Sequence, residues 1–378
     1  MVSNYPSTSL VEQLTYYMKQ YRIDPSTGKA TFAIVQAEDE LAAIGMVIGA
    51  GWAGALAMTS TSGPGFSLMT EFAGFAYFAE IPAVIWDIQR IGPSTGLPTR
   101  TSQGDILPAY FLSQGDTKHI LLLPATVEEC YLFSQEAFNM AEKFQPLVFC
   151  MSDLDLGMNS WMSDEFAYPD AIPMDRGKVL SEKDLMALGK FSRYRDVSGD
   201  GIPFRTIPGN NHPAAPYFAR GSGHDAEAEY SEQPENYTAL VDRLARKIHG
   251  AAQFLPRPVV DGSDSSVGIV AYGSTHHAID ECRALLREEH GIGTDYLRIR
   301  ALPPETAVKN FLENHERVCV VEQKRDGQMR AILSIEFPEL QSSLHSVLYY
   351  TGLPIDARFI TNAICDQEKS KADYGKAD

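Results

Sequence analysis

The sequence predicts an α/β protein in which parallel sheets are covered by helices on both faces. Short apolar runs alternate with helical stretches from Thr31 to about Asp153, and the same alternation returns from about 258 to 362. Such runs, bounded by turn residues, suit strands buried on both sides, as crossover connections require. A chain of 378 residues has room for two such domains, each with its own core.

In the first half the expected buried strands are TFAIVQ (31–36), ALAMTST (55–61), PAVIWDI (82–88), HILLLP (119–124) and PLVFCM (146–151). Between them, 126–143 reads as a helix with Cys130, Phe133, Ala137 and Met140 on one face. Leu41 to Ala57, LAAIGMVIGAGWAGALA, is at the lower edge of membrane-spanning length. Its flanks are acidic and its residues small, so it reads as a close-packed buried helix. Residues 154–257 are polar and broken by Gly and Pro, a long surface connection ending in a helix marked by Leu240, Val241, Leu244 and Ile248. The smaller domain, 258–362, runs through VGIVAYGS, a helix near 276–289, DYLRIR, a short helix, VCVVEQ, a helix after Gly327 and SVLYYTG. A charged, loose tail at 363–378 completes the expected organisation, after a first domain at 1–153.

Composition narrows the function. A net charge of −17 argues against nucleic acid, whose backbone asks for a basic face; it suits a basic partner surface and solubility. The first fifteen residues lack the apolar core of a signal peptide. The five cysteines form no C-x-x-C pair, so the expected setting is a reducing cytoplasm, with neither disulfides nor a zinc or iron–sulfur site made by this chain alone.

Two motif matches fail on context. GAGWAG at 49–54 fits G-x-G-x-x-G, but Gly63-Pro64 follows too soon for the required helix. GPSTG at 92–96 fits a nucleophile elbow, but Gly96 and Pro98 forbid a helix directly after the Ser. His276-His277 reads as a surface pair at a helix start.

What survives is a constellation. VQAEDELAAIG (35–45) sets Glu38, Asp39 and Glu40 at the mouth of the apolar stretch, either as helix caps or with one acid working inside. TSTSGPGFSLM (59–69) offers Ser62 and the backbone around Gly63 and Gly65; QRIGPSTGLPTRT (89–101) holds Arg90, Arg100, Ser94, Thr95 and Thr99, suited to a carboxylate. Each reads as a loop at the carboxyl end of a strand, where open α/β sheets place their ligands.

These stretches, with IPAVIWDIQRIGPSTGLPTRTSQGD and DGIPFRTIPG, closely resemble the α subunit of 2-oxoacid:ferredoxin oxidoreductases, especially the 2-oxoglutarate type. The resemblance covers nearly the whole chain. It implies a pyrimidine-binding domain of the thiamine diphosphate fold, followed by a transketolase-C-terminal-like domain. The cofactor would be shared with a β subunit carrying Mg²⁺ and a [4Fe–4S] cluster. GDG at 199–201 with Asn210 and Asn211 imitates the magnesium–diphosphate motif but lacks its intervening strand and helix, which agrees with that division. By the same resemblance Glu40 activates the cofactor through the aminopyrimidine and needs a low-dielectric setting. Ser62 and Gly63 would line the cofactor. Arg90 would hold the substrate's C1 carboxylate, with Thr99, Arg100, Ser94 and Thr95 nearby, and Thr8 in YPSTSLVEQL would stand beside the carbonyl. Glu38 and Asp39 remain caps. The implied reaction turns a 2-oxoacid, CoA and oxidised ferredoxin into acyl-CoA, CO₂ and reduced ferredoxin, in an α₂β₂-type assembly with a γ domain or subunit. Ser7 and Ser9 depart from the family's usual Ile and Pro, and only MVSN precedes this loop, so the expected chain is a fragment of a longer fused subunit or one cut at its start. The rival readings are a non-catalytic scaffold and a self-contained thiamine-dependent decarboxylase or transketolase-like enzyme.

Overall fold

Strand and helix alternate along the first half of the chain much as the apolar periodicity dictates. The computed structural model describes residues 2–3, 8–166, 174–262 and 264–374 and, within them, the side chains of residues 12–369. In order come β1 (Val2–Ser3), α1 (Thr8–Tyr21), β2 (Val35–Gln36), α2 (Glu40–Trp52), β3 (Met58–Thr61), α3 (Gly63–Leu68), α4 (Thr70–Ala79), β4 (Ala83–Ile91), β5 (Leu97–Thr101), α5 (Ile106–Tyr110), β6 (Ile120–Leu122), α6 (Val127–Phe144) and β7 (Leu147–Asp153). The long connection carries α7 (Leu154–Met158), α8 (Glu182–Leu188) and α9 (Pro234–Ala251). Then follow β8 (Val259–Asp261), β9 (Val267–Ala271), α10 (Ile279–His290), β10 (Asp295–Arg298), β11 (Ala301–Leu302), α11 (Thr306–Glu313), β12 (Arg317–Glu322), α12 (Gln328–Glu336), β13 (Leu344–Leu348) and α13 (Ala357–Tyr374).

The main sheet has the order β11-β6-β7-β4-β3. Strands β6, β7, β4 and β3 run parallel, while β11 pairs antiparallel with β6 and β5 folds back antiparallel on β4. Alternate residues of β4 and β7 serve two cores. Ile85 and Phe149 face one with Ile44 and Met69, whereas Val84, Trp86 and Cys150 face another with Phe133 and Met140. Helix α6 is capped by the Thr126 hydroxyl, which accepts the Glu129 N–H at 3.1 Å. The second sheet, β13-β12-β9-β10-β8, is parallel except for its edge strand β8.

Helix α2 is close-packed, as expected from its small residues, since a Cβ on Gly51 would lie 2.0 Å from the Pro82 carbonyl oxygen. The GAGWAG match is thus a packing device. But the helix ends at Trp52, short of Ala57, and its outer face, with Leu41, Met46 and Trp52, is exposed, so it is not the wholly buried helix expected. No described helix is long and apolar enough to cross a membrane.

Two expectations need correction. TFAIVQ is not a buried strand: only Val35–Gln36 is extended, both residues are exposed, and they pair with β1 apart from the main sheet. Nor is the tail loose from 363. Helix α13 continues to Tyr374, burying Ile360, Ile364 and Cys365, while Glu368 and Gln367 bond the Arg317 guanidinium at 2.6 and 2.8 Å. Its charges lie on the outer face of an amphipathic helix.

The connection is fastened, not merely laid on. Arg193 and Tyr194 donate to the carbonyls of Glu80 and Ala79 at 2.8 and 3.3 Å. The GDG turn is built around Asp196, which accepts the Gly199 and Gly201 N–H groups at 2.8 and 2.9 Å. Between the two sheets runs a polar seam. Gln103 donates to the Tyr272 carbonyl and accepts from the Thr275 hydroxyl, both at 3.0 Å. Ser274 accepts from Gln323 at 2.8 Å and donates to Asp153 at 2.6 Å.

Candidate active site

Glu40 opens α2, one residue after its cap. Asp39 is that cap: its carboxylate accepts the Ala42 N–H at 2.7 Å. Glu40 is half-buried and lies across the backbone of Gly65. A Cβ there would come within 2.6 Å of Glu40 Cγ, 2.7 Å of its Oε1 and 2.3 Å of Thr61 Oγ1. Only glycine fits, and the absent side chain lets the carboxylate reach the carboxyl end of β3. Among the described residues that carboxylate has no hydrogen bond or ion pair.

The stretch 59–69 is not the expected loop. It is the end of β3 followed directly by α3, with Ser62 at the N-cap position and Pro64 in the first turn. The Ser62 hydroxyl is buried and has no hydrogen-bond partner among the described residues. Gly63 faces the Asp105 carboxylate, 3.5 Å from where a Cβ would stand.

Nor is 89–101 a loop. Strand β4 continues to Ile91, a turn with positive φ at Ser94 (56°) and Gly96 (50°) reverses the chain, and β5 returns. Arg90 stands opposite Thr101, next to an irregularity between Arg90 and Ile91. It is 9% exposed, and its Nε, like Thr101 Oγ1, lacks a partner among the described residues. By contrast Ser94, Thr95, Thr99 and Arg100 are exposed, the Arg100 stem lying against Gly352. The expected single carboxylate pocket is therefore split in this chain, with one buried arginine and a solvated hairpin. Pairing with β5 keeps Arg90 inside while the turn carries the hydroxyls out. Thr8 opens α1, and its side chain lies outside those described.

Two residues missed by sequence reasoning adjoin Arg90. Asp87 is fully buried on β4, and neither of its oxygens has a hydrogen-bond partner among the described residues. Burial first, then the neighbouring Asp105 carboxylate, push its carboxyl well above the ordinary aspartate range, against the pull of Arg90. Burial likewise raises Asp105, opposed by Lys324 and Arg90. Lys324 comes from the end of β12 and donates to the Gly104 carbonyl at 2.9 Å. A lone acid inside AVIWDI was a visible signal for Asp87; nothing local marks Asp105, which the hairpin brings back from eighteen positions downstream.

No group of three or more His, Cys, Asp or Glu able to hold an ion gathers among the described residues. The buried, unpartnered Thr59 Oγ1, Ser62 Oγ, Arg90 Nε and Thr101 Oγ1, with Glu40 over its glycine cradle, fit a group that carries hydrogen-bonding nitrogens together with an anionic substrate.

The family model described as "Pyruvate flavodoxin/ferredoxin oxidoreductase, thiamine diP-bdg" matches residues 5–172, the range that holds Glu40, Ser62, Asp87, Arg90 and Asp105 but not Lys324. The chain is 36% identical, over 96% of its length, to subunit alpha of 2-oxoacid:ferredoxin oxidoreductase 2 from Aeropyrum pernix, and spans 57% of that protein. It is 37% identical to 2-oxoglutarate synthase subunit KorA from Methanocaldococcus jannaschii, over 71% of this chain and 70% of that one. Among solved structures, 2-oxoglutarate:ferredoxin oxidoreductase from Magnetococcus marinus, with 2-oxoglutarate, coenzyme A and succinyl-CoA bound, superposes with a TM-score of 0.82 at 29% identity, covering 97% of this chain and 61% of that one. Similar along nearly its whole length to proteins of one kind, the chain belongs to the 2-oxoacid:ferredoxin oxidoreductase α-subunit family.

Proposed function

We propose that this chain supplies the pyrimidine-binding half of a thiamine diphosphate site and the carboxylate-binding arginine of a 2-oxoacid:ferredoxin oxidoreductase, with 2-oxoglutarate as substrate. The observation that carries the reading is Glu40 seated on Gly65 at the mouth of the main sheet, with Arg90 buried at the end of the adjacent strand. When bound, thiamine diphosphate supplies the carbanion chemistry that releases CO₂. Glu40 holds a hydrogen bond to the aminopyrimidine ring, and Ser62 and Gly63 line the cofactor. Arg90 pairs with the C1 carboxylate and so orients the carbonyl carbon. Thr8, Ser94, Thr95, Thr99 and Arg100 close over the substrate from α1 and the exposed hairpin.

A β subunit bearing Mg²⁺, the diphosphate site and a [4Fe–4S] cluster completes the enzyme, with ferredoxin as electron acceptor, CoA as acyl acceptor and a γ domain or subunit alongside. Support comes from the exposed Tyr16, Tyr17 and Tyr21 of α1 and Val35 of β2, an apolar surface that a partner would cover. In this reading 1–153 and 258–362 are the two domains, 154–257 the strap between them, and the assembly is an α₂β₂-type complex in the cytoplasm.

The test is 2-oxoglutarate- and CoA-dependent reduction of a viologen dye by the complex with its β partner. Glu40→Ala should lower kcat by about 10²- to 10⁴-fold while the complex still assembles. Wild-type activity that survives the substitution would remove Glu40 from the role. An assembled, thiamine-loaded complex inert toward every 2-oxoacid would point to a scaffold instead.

A further inference from the structure

The second sheet has a crevice where open α/β sheets take their ligands. Strands β9 and β12 are parallel neighbours, and the chain leaves them in opposite directions, β9 leading to β10 on one side and β12 to β13 on the other. Ligands of such sheets settle beyond the carboxyl ends at this switch point. Here the place is taken by Gln103, two residues after β5 and 1% exposed. Its side-chain nitrogen donates to the carbonyl of Tyr272, the residue after β9. Its side-chain oxygen accepts the Thr275 hydroxyl and, at 3.2 Å, the N–H of Gln323, the residue after β12. Three of the four hydrogen bonds open to the amide are thus made. The Gln103 N–H donates to the Gln323 carbonyl at 3.0 Å. Gly273 makes room, since a Cβ there would lie 2.9 Å from Gln103 Nε2.

The residues around Gln103 are fastened in the same direction. Ser102 donates to the Gln323 carbonyl at 3.2 Å, Lys324 to the Gly104 carbonyl at 2.9 Å, and the Leu107 N–H to Gln328 at 3.0 Å. At the root of the hairpin, Gly352 beyond β13 lies so close that a Cβ would stand 2.6 Å from Ile91 Cδ1 and 3.0 Å from Arg100 Cβ. What is held this way matters to Arg90. The pairing of β4 with β3 ends at Asp87 and its pairing with β7 at Gln89. Among the described residues, Arg90 therefore has its ladder partner in Thr101 of β5 alone.

We propose that Gln103 is a positioning residue: seated in the crevice of the second sheet in place of a ligand, it fixes β5 and, through β5, the carboxylate-binding Arg90. This rests on the reading of Arg90 given above. It gives the second sheet a part in substrate binding without a contact to substrate, and it fills that sheet's own ligand position from within the chain.

Hydrogen–deuterium exchange and steady-state turnover of the complex with its β partner test this together. In Gln103→Ala the amides of residues 89–91 and 97–101 should exchange about tenfold faster, while those of β6 and β7 keep their wild-type rates. The KM for 2-oxoglutarate should rise about 10- to 10²-fold, with kcat following it far less, because the hold that loosens is on a carboxylate already present in the ground state. Wild-type exchange or a wild-type KM in the assembled variant overturns the proposal. Tyr110→Phe removes a different bond between the two halves of the chain, to Glu336 at 3.0 Å, and should leave both readouts unchanged. A shift there as large as in Gln103→Ala would make Gln103 ordinary glue between the sheets and overturn the proposal as well. Should Gln103→Ala fail to assemble, the nearly isosteric Thr275→Val removes one donor to Gln103 and should move both readouts the same way by a smaller factor; no movement overturns the proposal. A complex that turns over no 2-oxoacid would defeat the proposed function alone, and exchange at Arg90 and β5 would then decide the positioning by itself.

Discussion

Glu80 and Asp87, seven residues apart in sequence, are both fully buried acids, and they could hardly be treated more differently. Glu80 receives Arg243 at 2.5 and 3.0 Å and Lys247 at 2.6 Å, and these cations hold its carboxyl far below the ordinary glutamate range in spite of burial. Asp87 receives no hydrogen bond from any described residue, and its carboxyl is driven the other way. The first acid pins α9 to the end of α4 and closes a structural joint. The second stands on β4, three residues before Arg90. Complete pairing marks a staple; an unanswered buried charge marks a place built for something else.

The sharpest way to break this contrast is Glu80→Ala, which leaves Arg243 and Lys247 buried without their counter-charge. Chemical denaturation should show a loss of about 3–5 kcal/mol; a loss no larger than that of a surface substitution would mean that the cluster is no staple. The pH dependences should have opposite signs. Glu80, with a lowered folded-state pKa, contributes stability above the ordinary glutamate range that is lost as pH falls below it. Asp87, with a raised one, costs stability as pH rises above the ordinary aspartate range. Denaturation from acid to neutral pH should accordingly lose much of its acid-side slope in Glu80→Gln, and an unchanged slope would refute the assignment.

Gly65→Ala comes next. Its methyl would collide with Thr61 and Glu40 and should cost about 1–3 kcal/mol, yet abolish most activity by displacing the carboxylate; full activity would show that the cradle is not needed. The smallest stability effect belongs to Asp87→Asn, about 1 kcal/mol or less, because no hydrogen bond donated by a described residue is lost. A loss as large as that of Glu80→Ala would erase the distinction between the two acids.

Much of this was legible in the sequence, for physical reasons that differ by element. Strands β4 and β7 announce themselves because both faces are buried, and α6 because its apolar face recurs at helical spacing after Thr126. That an acid caps α2 follows from local chemistry, whereas Glu40 is singled out among its neighbours only by the family resemblance. Illegible were the features decided by tertiary pairing. TFAIVQ carries a strand's composition but finds only a two-residue partner. The charges of α13 conceal Ile360 and Ile364, which are completely buried. The 59–69 and 89–101 stretches look like loops because Gly and Pro punctuate them, yet they fold as a strand–helix corner and a hairpin. Asp105 becomes meaningful only once that hairpin returns it to Asp87.

The hairpin has one more consequence. Residues 92–100 are all exposed, while the arginine at their root is locked into the sheet. If Arg90 holds the substrate carboxylate as proposed, the anchor for what every 2-oxoacid shares is built into the sheet, and the part free to discriminate among their tails hangs outside it. On that reading the tip is a cassette that could be transplanted between relatives to change substrate preference without renegotiating the core.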